Sequence, residues 1–289
     1  MDYFIHILII INIYIILTVS SNLLVGLANL LSLGQAAFYG VGAYLTVLAL
    51  MKLGFTLIPA ILFAVILTAL LALVLGYISI RFEGDYFVLA TLGFQIIIYT
   101  VLYNWITVTR GPYGIPGIPA PALFGKWKID SIYLFLVFSS LLSVLSIGFF
   151  YRLIHSPFGR ALRAMKDDKL ALLSLGRNIR SLKIKTFVLA AAYAALAGFL
   201  YATYISYIDP TSFNLDESIF IVSAVLIGGT GNIKGPVSGA FFVVILPEIL
   251  RFVGLPDSIA ANMRMIIYGL SLIVLMYYRP QGIAGNIKL

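Results

Sequence analysis

The run at 228–235, Gly-Gly-Thr-Gly-Asn-Ile-Lys-Gly, is the part of the chain closest in composition to a phosphate-binding loop. In such a loop the backbone N–H groups cradle phosphate, and a Ser or Thr that follows the Lys binds Mg²⁺. Here the glycine spacing differs, and Gly235 follows Lys234. The sequence therefore predicts that this chain does not bind ATP in a P-loop.

Side chains that catalyse reactions or bind metals are sparse. The chain has no Cys, and its two histidines, His6 and His155, are far apart in sequence. No Ser/His/Asp constellation and no pair of carboxylates within the apolar segments suggests catalysis. We expect no catalytic residue, no metal site and no cofactor, and we do not expect an enzyme.

Few charged residues interrupt the apolar segments. Glu248 and Arg251 lie one helical turn apart and can pair or reach the membrane interface. A charge at the centre of a bilayer costs about 2.5–3.5 kcal/mol, so pumps keep one there only for function. No carboxylate stands out as a proton carrier, whereas sodium coupling through backbone carbonyls stays open.

Glycine and amide groups are the remaining candidates, in one early and one late cluster. Small residues let helices approach closely and let backbone polar groups face a cavity. One interpretation is that both clusters line a translocation path, and the other is tight helix packing without a path. Their placement also makes an internal repeat possible. The residues are Gly26, Asn29, Gly34, Gln35, Gly228, Gly229 and Gly231.

The elements that carry these groups must be membrane helices. Of 289 residues, 62% are hydrophobic and 10% are charged, and the mean hydropathy is +1.06, whereas soluble domains carry about 25% charged residues. Lipid cannot satisfy an open backbone, so we predict an all-α bundle over 1–289, a single transmembrane domain. Two of the ten predicted segments, 22–33 and 218–230, are too short to cross alone. The ten are 3–20, 22–33, 36–51, 57–80, 86–108, 131–151, 186–206, 218–230, 235–253 and 263–279.

The distribution of positive charge predicts the orientation of the chain. Nine of its 19 Lys and Arg residues lie within 152–185, opposed only by Asp167 and Asp168. The positive-inside rule places this segment in the cytoplasm. Counting outward through ten segments then places both termini in the cytoplasm and 109–130 and 207–217 outside. The net charge of +8 is therefore interpreted as a sign of contact with a membrane surface, and no nucleic-acid partner is expected.

The cation-rich segment is predicted to contain two short helices. Ser156 followed by Pro157 is typical of a helix start. Gly176 is typical of a helix end, and Asp168 can cap the second helix.

An apolar stripe runs along these helices at helical spacing, and it consists of Phe158, Leu162, Met165 and Leu172. Arg163 and Asp167 are four residues apart and can pair. Two interpretations remain open at this point: a surface that docks a cytoplasmic partner, or helices that lie on anionic lipid.

Several runs of this chain, taken together and in order, resemble the M-type permease subunit of branched-chain amino acid ABC importers. The run 156–176, Ser-Pro-Phe-Gly-Arg-Ala-Leu-Arg-Ala-Met and onward to Gly, resembles the coupling-helix loop of ABC importer permeases. The other matching runs are Leu-Ser-Leu-Gly-Gln-Ala-Ala-Phe at 31–38, Gly-Asp-Tyr-Phe at 84–87, Gly-Pro-Tyr-Gly-Ile-Pro-Gly-Ile-Pro at 111–119, the glycine-rich turn 228–236, and Arg-Pro-Gln-Gly-Ile at 279–283. The usual His of the early run is Gln35 here, so substrate preference could differ.

The resemblance implies a permease subunit in a bacterial or archaeal inner membrane that translocates branched-chain or other hydrophobic amino acids. It implies four kinds of partner: a second homologous permease, two cytoplasmic ATPases, an external substrate-binding protein and membrane lipid. It also implies that residues of the cation-rich segment couple to the ATPases, namely Phe158, Gly159, Arg160, Leu162, Arg163, Met165, Asp167, Asp168, Leu172 and Gly176. The alternatives are an ABC permease for urea or short amides and an ion-coupled secondary transporter.

Overall fold

The computed structural model describes residues 2–120, 122–123, 127–129 and 131–252, with scattered positions between 263 and 284. The described part is built almost wholly of helices. Their bounds are α1 Asp2–Asn22, α2 Gln35–Met51, α3 Leu57–Ser79, α4 Asp85–Asn104, α5 Ile106–Thr109, α6 Ile132–His155, α7 Pro157–Asp167, α8 Lys169–Ser174, α9 Ile179–Ile205, α10 Leu215–Gly228 and α11 Lys234–Phe252.

Five helices of the described residues are long and apolar enough to cross a membrane. They are Asp2–Leu27, α3, α4, α6 and α9, and α2 is a shorter apolar helix. The predicted helical membrane bundle is confirmed to this extent. The tenth predicted segment, 263–279, lies largely outside the described residues.

The predicted separate segment at 22–33 is wrong. Helix α1 continues through a π-helical turn at Leu23–Leu27 and ends at Asn29, whose left-handed φ of 53° stops a helix. The polar run at 20–22 does not break the helix, and neighbouring elements satisfy the side chains of Ser20 and Asn22. Ser20 Oγ donates to the Ala190 carbonyl at 2.7 Å, and Asn22 Nδ2 donates to the Asn232 carbonyl at 2.9 Å.

Short strands join two connections at one end of the bundle. Strand β1, Ile115–Pro116, pairs antiparallel with β4, Tyr207–Ile208, which follows α9. Strand β2, Ala122–Leu123, pairs with β3, Trp127–Lys128. Helices α7 and α8 lie at the other end, which we call the loop end. The end with β1 and β4 is the opposite end.

Helix α1 runs from the opposite end to the loop end. Near its start, His6 Nδ1 lies 2.7 Å from the Tyr204 hydroxyl at the end of α9. Near its end, the Lys166 ammonium of α7 donates to the Gly26 carbonyl at 3.5 Å. Residue 2 and the cation-rich segment therefore lie at different ends, which contradicts the predicted position of the N-terminal residues. The miscount follows from the absent helix at 22–33.

The two halves of the chain contain similar units of opposite sense. In the first unit, α1 descends to the loop end, residues 29–34 interrupt the helix, and α2 starts again at mid-depth and ascends. In the second, α9 ascends to the opposite end, residues 206–214 interrupt it, and α10 starts at mid-depth and descends. Both short helices begin beside Gln95, at the middle of α4. Two interrupted units of opposite sense are the arrangement that inverted repeats have in transporters, and the internal repeat stays a prediction.

Candidate functional site

The loop-end helices α7 and α8 begin with the predicted caps. Ser156 Oγ accepts the Gly159 N–H at 3.2 Å, with Pro157 in the first helical position. Asp168 Oδ1 accepts the N–H groups of Leu170 and Ala171 at 2.9 and 3.0 Å. Gly176, at φ 74°, follows the end of α8. The predictions for these two helices are confirmed.

Cationic side chains of the loop cap the C-terminal ends of neighbouring helices. Arg160 and Arg163 donate to the carbonyls of His155 and Ile154, both at 2.9 Å, at the end of α6. Lys166 donates to the Gly26 carbonyl at the end of α1. A cation at a helix C-terminus satisfies free carbonyls and stabilises the helix dipole. The predicted Arg163–Asp167 pair is not among the ion pairs of the described residues.

A carboxylate between α3 and α4 fastens the loop to the bundle. Glu83 accepts a short hydrogen bond from the Lys169 ammonium and lies 3.7 Å from the Lys183 ammonium. The hydrogen bond and charge of Lys169 hold the pKa of the Glu83 carboxyl below its ordinary value. The Glu83 carboxyl is thus ionised at neutral pH, and it connects α8 directly to the turn before α4.

The predicted apolar stripe packs inward, against the bundle. Leu162, Met165 and Leu172 are buried against the chain's own helices, and Phe158 is partly buried there. A different set of apolar residues on and after α8 faces outward, with exposed fractions of 77% for Leu170, 50% for Leu173 and 77% for Leu175. The stripe at helical spacing therefore attaches α7 and α8 to the bundle, and the exposed leucines form the free apolar surface.

The two glycine clusters meet at the loop end. A Cβ at Gly26 would lie 2.6 Å from the Gly231 nitrogen, so only glycine permits this approach. The Gly231 N–H donates to Asn22 Oδ1 at 3.0 Å. Asn29, which was predicted to belong to the same path, is exposed at the end of the helix. The structure brings Gly26 and Gly231 together at a backbone contact.

The late cluster packs α10 against α11. A Cβ at Gly228 would lie 2.0 Å from the Gly235 carbonyl oxygen, and one at Gly239 would lie 2.0 Å from that of Ala224. Gly229, at φ 104°, contacts Gly282 after the last segment. These positions are occupied by backbone, which favours the packing interpretation of this cluster. A role in a path stays a prediction.

The remaining predicted residues, Gly34 and Gln35, lie at the start of α2. Gln35 Oε1 accepts from Ser20 Oγ at 3.0 Å, and the side chain is 1% exposed. The Leu33 N–H donates to Thr91 Oγ1 at 3.1 Å, and Gly34 lies against the Thr91 backbone. This region is therefore a buried polar contact between the interruption of the first unit and α4.

Gln95 joins the starts of both short helices. Its Oε1 accepts the Ala37 N–H at 2.6 Å and the Ser218 hydroxyl at 3.2 Å. Its Nε2 donates to the Phe213 carbonyl at 2.8 Å, and the Ala36 N–H donates to Ser218 Oγ at 3.0 Å. The N–H groups that a helix start leaves unpaired are thus satisfied by protein, as a break at membrane depth requires.

Sequence reasoning missed three polar residues of this region. Thr91 and Gln95 each stand in an apolar segment, and a lone amide at the middle of a span was the available signal. Glu217 was assigned to an outer loop, yet it lies in the first turn of α10, where Oε1 accepts from the Tyr14 hydroxyl at 2.7 Å. Glu217 is therefore a carboxylate at the start of a helix, and the search for a proton carrier in the sequence did not consider it.

Apolar helices, interruptions that meet at mid-depth and a capped polar loop at one end are features of membrane transport proteins. Comparison with known families gives the family. The model for "Branched-chain amino acid transport system / permease component" matches residues 3–276. The chain belongs to this family of membrane permease components.

Individual relatives agree with the family. The chain is 35% identical to the high-affinity branched-chain amino acid transport system permease protein LivM of Escherichia coli, over 94% of this chain and 67% of that protein. It is 31% identical to a probable branched-chain amino acid transport permease protein LivM of Methanocaldococcus jannaschii, over 78% and 68%. It is 28% identical to the autoinducer 2 import system permease protein LsrC of Yersinia pseudotuberculosis, over 67% and 57%. No solved structure matches the chain.

Proposed function

We propose that this chain is the transmembrane permease subunit of an ABC importer that moves branched-chain or other hydrophobic amino acids across the inner membrane of a bacterium or archaeon. The observation that carries the proposal is the 35% identity to a LivM permease over 94% of the chain. The absence of a P-loop in the sequence supports the assignment of ATP hydrolysis to separate subunits.

A different substrate is the second candidate. The LsrC relatives are named for autoinducer 2 import, so permeases of this family serve more than one compound. Gln35 replaces the usual His of the early run, and it is buried at the start of α2. Urea, short amides and autoinducer 2 therefore belong in any test of substrate.

The proposed assembly contains a second homologous permease, two cytoplasmic ATPases and an external substrate-binding protein, with lipid around the bundle. The loop end faces the cytoplasm, since it carries the excess of Lys and Arg. Residues 282–284 belong to that side, because the N–H groups of Ile283 and Ala284 bond to carbonyls at the end of α10. Residue 2 and Pro119 belong to the outer side. The whole of 1–289 is proposed to act as one transmembrane domain.

The exposed leucines of the loop are the proposed ATPase-docking surface. Leu170, Leu173 and Leu175 point away from the bundle, while α7 and α8 are fixed behind them by caps, by Glu83 and by the buried stripe. A rigid element with an apolar outer face can transmit the motion of a partner. If the same leucines lay on lipid instead, removing them would weaken membrane contact of the loop and leave ATPase binding intact.

Uptake by the reconstituted complex tests the function. The chain is co-purified with its partner permease and ATPases, placed in proteoliposomes and supplied with binding protein and labelled leucine. Uptake should require MgATP and should stop with a non-hydrolysable analogue. Excess unlabelled leucine, urea and autoinducer 2 serve as competitors that separate the candidate substrates.

The secondary-transporter alternative predicts a different result. Uptake that proceeds without ATP and follows an imposed proton or sodium gradient would reject the ABC assignment. In the matched control the proton and sodium gradients are collapsed, and ATP-driven uptake should stay unchanged.

A further inference from the structure

Helix α4 touches the rest of the chain through a single narrow stripe. Its buried residues are Phe87, Thr91, Gln95 and Leu102, and three of these follow one another at a spacing of four. Its other residues are half-buried or exposed. The position of α4 is therefore determined by few contacts, and two of the four are polar.

At its beginning, α4 is tied to the loop end. Glu83 stands two residues before α4 and accepts from Lys169, the first residue of α8. The Lys183 ammonium lies 3.7 Å from the same carboxylate. Glu83 therefore connects the start of α4 to α8 and α9 through charge-assisted contacts.

At its middle, α4 is tied to both interruptions. Thr91 Oγ1 accepts from the Leu33 N–H in the first interruption. Gln95, which is fully buried, accepts from the Ala37 N–H and donates to the Phe213 carbonyl in the second interruption. The starts of α2 and α10 cannot separate from α4 without leaving buried polar groups unpaired.

We infer that α4 links the coupling loop to the two interrupted helices, and that Thr91 and Gln95 are positioning residues that make α2 and α10 move together when the loop moves. This inference rests on the proposed function, since it concerns how an ATPase-driven movement reaches the membrane helices. It assigns a role in transport to two uncharged side chains. Neither side chain needs to contact the substrate or the ATPase for this role.

The test measures substrate transported per ATP hydrolysed by the reconstituted complex. Gln95→Met keeps the length of the side chain and removes all three hydrogen bonds. Thr91→Val keeps the shape and removes two, the one from the Leu33 N–H and the one to the Val88 carbonyl within α4. Both variants should lower the ratio, Gln95→Met by at least about tenfold, because the buried partners are left unpaired. In Gln95→Glu the protonated carboxyl group retains an acceptor for the Ala37 N–H and a donor for the Phe213 carbonyl, so this variant should keep more transport than Gln95→Met.

Thr68→Val is the matched control. Thr68 is equally buried, in α3, but its hydroxyl has no hydrogen-bond partner among the residues that the structure describes, so the same Thr-to-Val change removes no bond there. The ratio should stay at the value of the unmodified complex.

Each outcome decides the inference. A ratio at the unmodified value in Gln95→Met and Thr91→Val overturns it. So does a proportional loss of assembled complex, hydrolysis and transport in both variants, because that pattern makes the two residues merely structural. Failure of the proposed function is seen separately, as absence of ATP-dependent uptake by the unmodified complex.

Discussion

The backbone nitrogen of Gly231 occupies the place where a side chain at Gly26 would begin, 2.6 Å from the position of a Cβ. Asn22, one turn earlier in the same helix, accepts the Gly231 N–H. The π-helical turn of the first unit and the turn between α10 and α11 are thereby held in backbone contact. This contact tests the packing interpretation of the glycine clusters directly.

Gly26→Ala should destabilise the chain, because the added methyl group overlaps the Gly231 nitrogen and the Asn22 amide oxygen. Overpacking of this kind costs about 1–3 kcal/mol. The measurement is the melting temperature of the purified protein in detergent. Gly148→Ala in α6 is the control, since nothing lies within 4 Å of its added methyl, and it should leave the melting temperature nearly unchanged. Equal melting temperatures for Gly26→Ala and Gly148→Ala would contradict the contact.

Met165→Asp and Leu173→Asp should fail for different reasons. Met165 is 6% exposed within the chain's own core, so a carboxylate there lowers stability by about 1–3 kcal/mol or more. Leu173 is 50% exposed, so Leu173→Asp should fold normally and lose co-purification of the ATPases. Thermal unfolding and pull-down, measured on both variants, separate the two effects.

Normal ATPase recovery with Leu173→Asp would reject the docking surface. Arg177→Ala is a useful comparison, because this exposed residue lies just beyond the leucines. A single exposed charge should change binding by no more than about 1 kcal/mol.

Single cysteines should report the orientation of the bundle, since the native chain has none. Phe4→Cys and Pro119→Cys lie at the opposite end and should react with an impermeant maleimide added to spheroplasts. Ser174→Cys lies at the loop end and should react only after the membrane is opened. Labelling of Ser174→Cys in intact spheroplasts would invert the orientation, and protection of Phe4→Cys beside a labelled Pro119→Cys would contradict the direction of α1.

The attachment of the loop should weaken in acid. The pKa of the Glu83 carboxyl is lowered by Lys169, so the folded chain binds this proton less readily than the unfolded chain. The stabilisation is complete above the ordinary carboxyl pKa of about 4.3 and is lost as pH falls through the lower pKa of the folded state.

Glu83 is 64% exposed in its side chain, so the contribution is at most about 1 kcal/mol. The free energy of unfolding of the unmodified chain should exceed that of the Glu83→Gln variant at neutral pH, and the difference between the two should vanish in acid. A difference that does not vary with pH would show that Glu83 acts by packing alone.

The sequence predicted helices where long apolar runs are bounded by caps or by charge. The starts of α7 and α8 are examples, because Ser156 and Asp168 bond to N–H groups two or three residues away. Local contacts of this kind are legible in a single sequence.

What the sequence could not supply were partners distant along the chain. Ser20 and Asn22 suggested a break in the first helix. The sequence does not show that their hydrogen-bond partners, Ala190 and Asn232, lie beside them, because these residues are remote along the chain. The inward packing of the apolar stripe on α7 and α8 depends equally on remote helices. Gln95 is the strongest case, since its partners lie 58 and 118 or more positions away.

The cations at the helix ends have two physical roles. Arg160 and Arg163 belong to the excess of positive charge from which the cytoplasmic side is proposed, and they also donate to carbonyls in the last turn of α6. An engineer who deletes them to reverse the topology would fray that helix at the same time. A basic residue added elsewhere in the loop would restore the net charge, but it would not restore a donor to those carbonyls. Charge deletion in this loop therefore cannot serve as a clean probe of insertion, whereas charge added at an exposed site can.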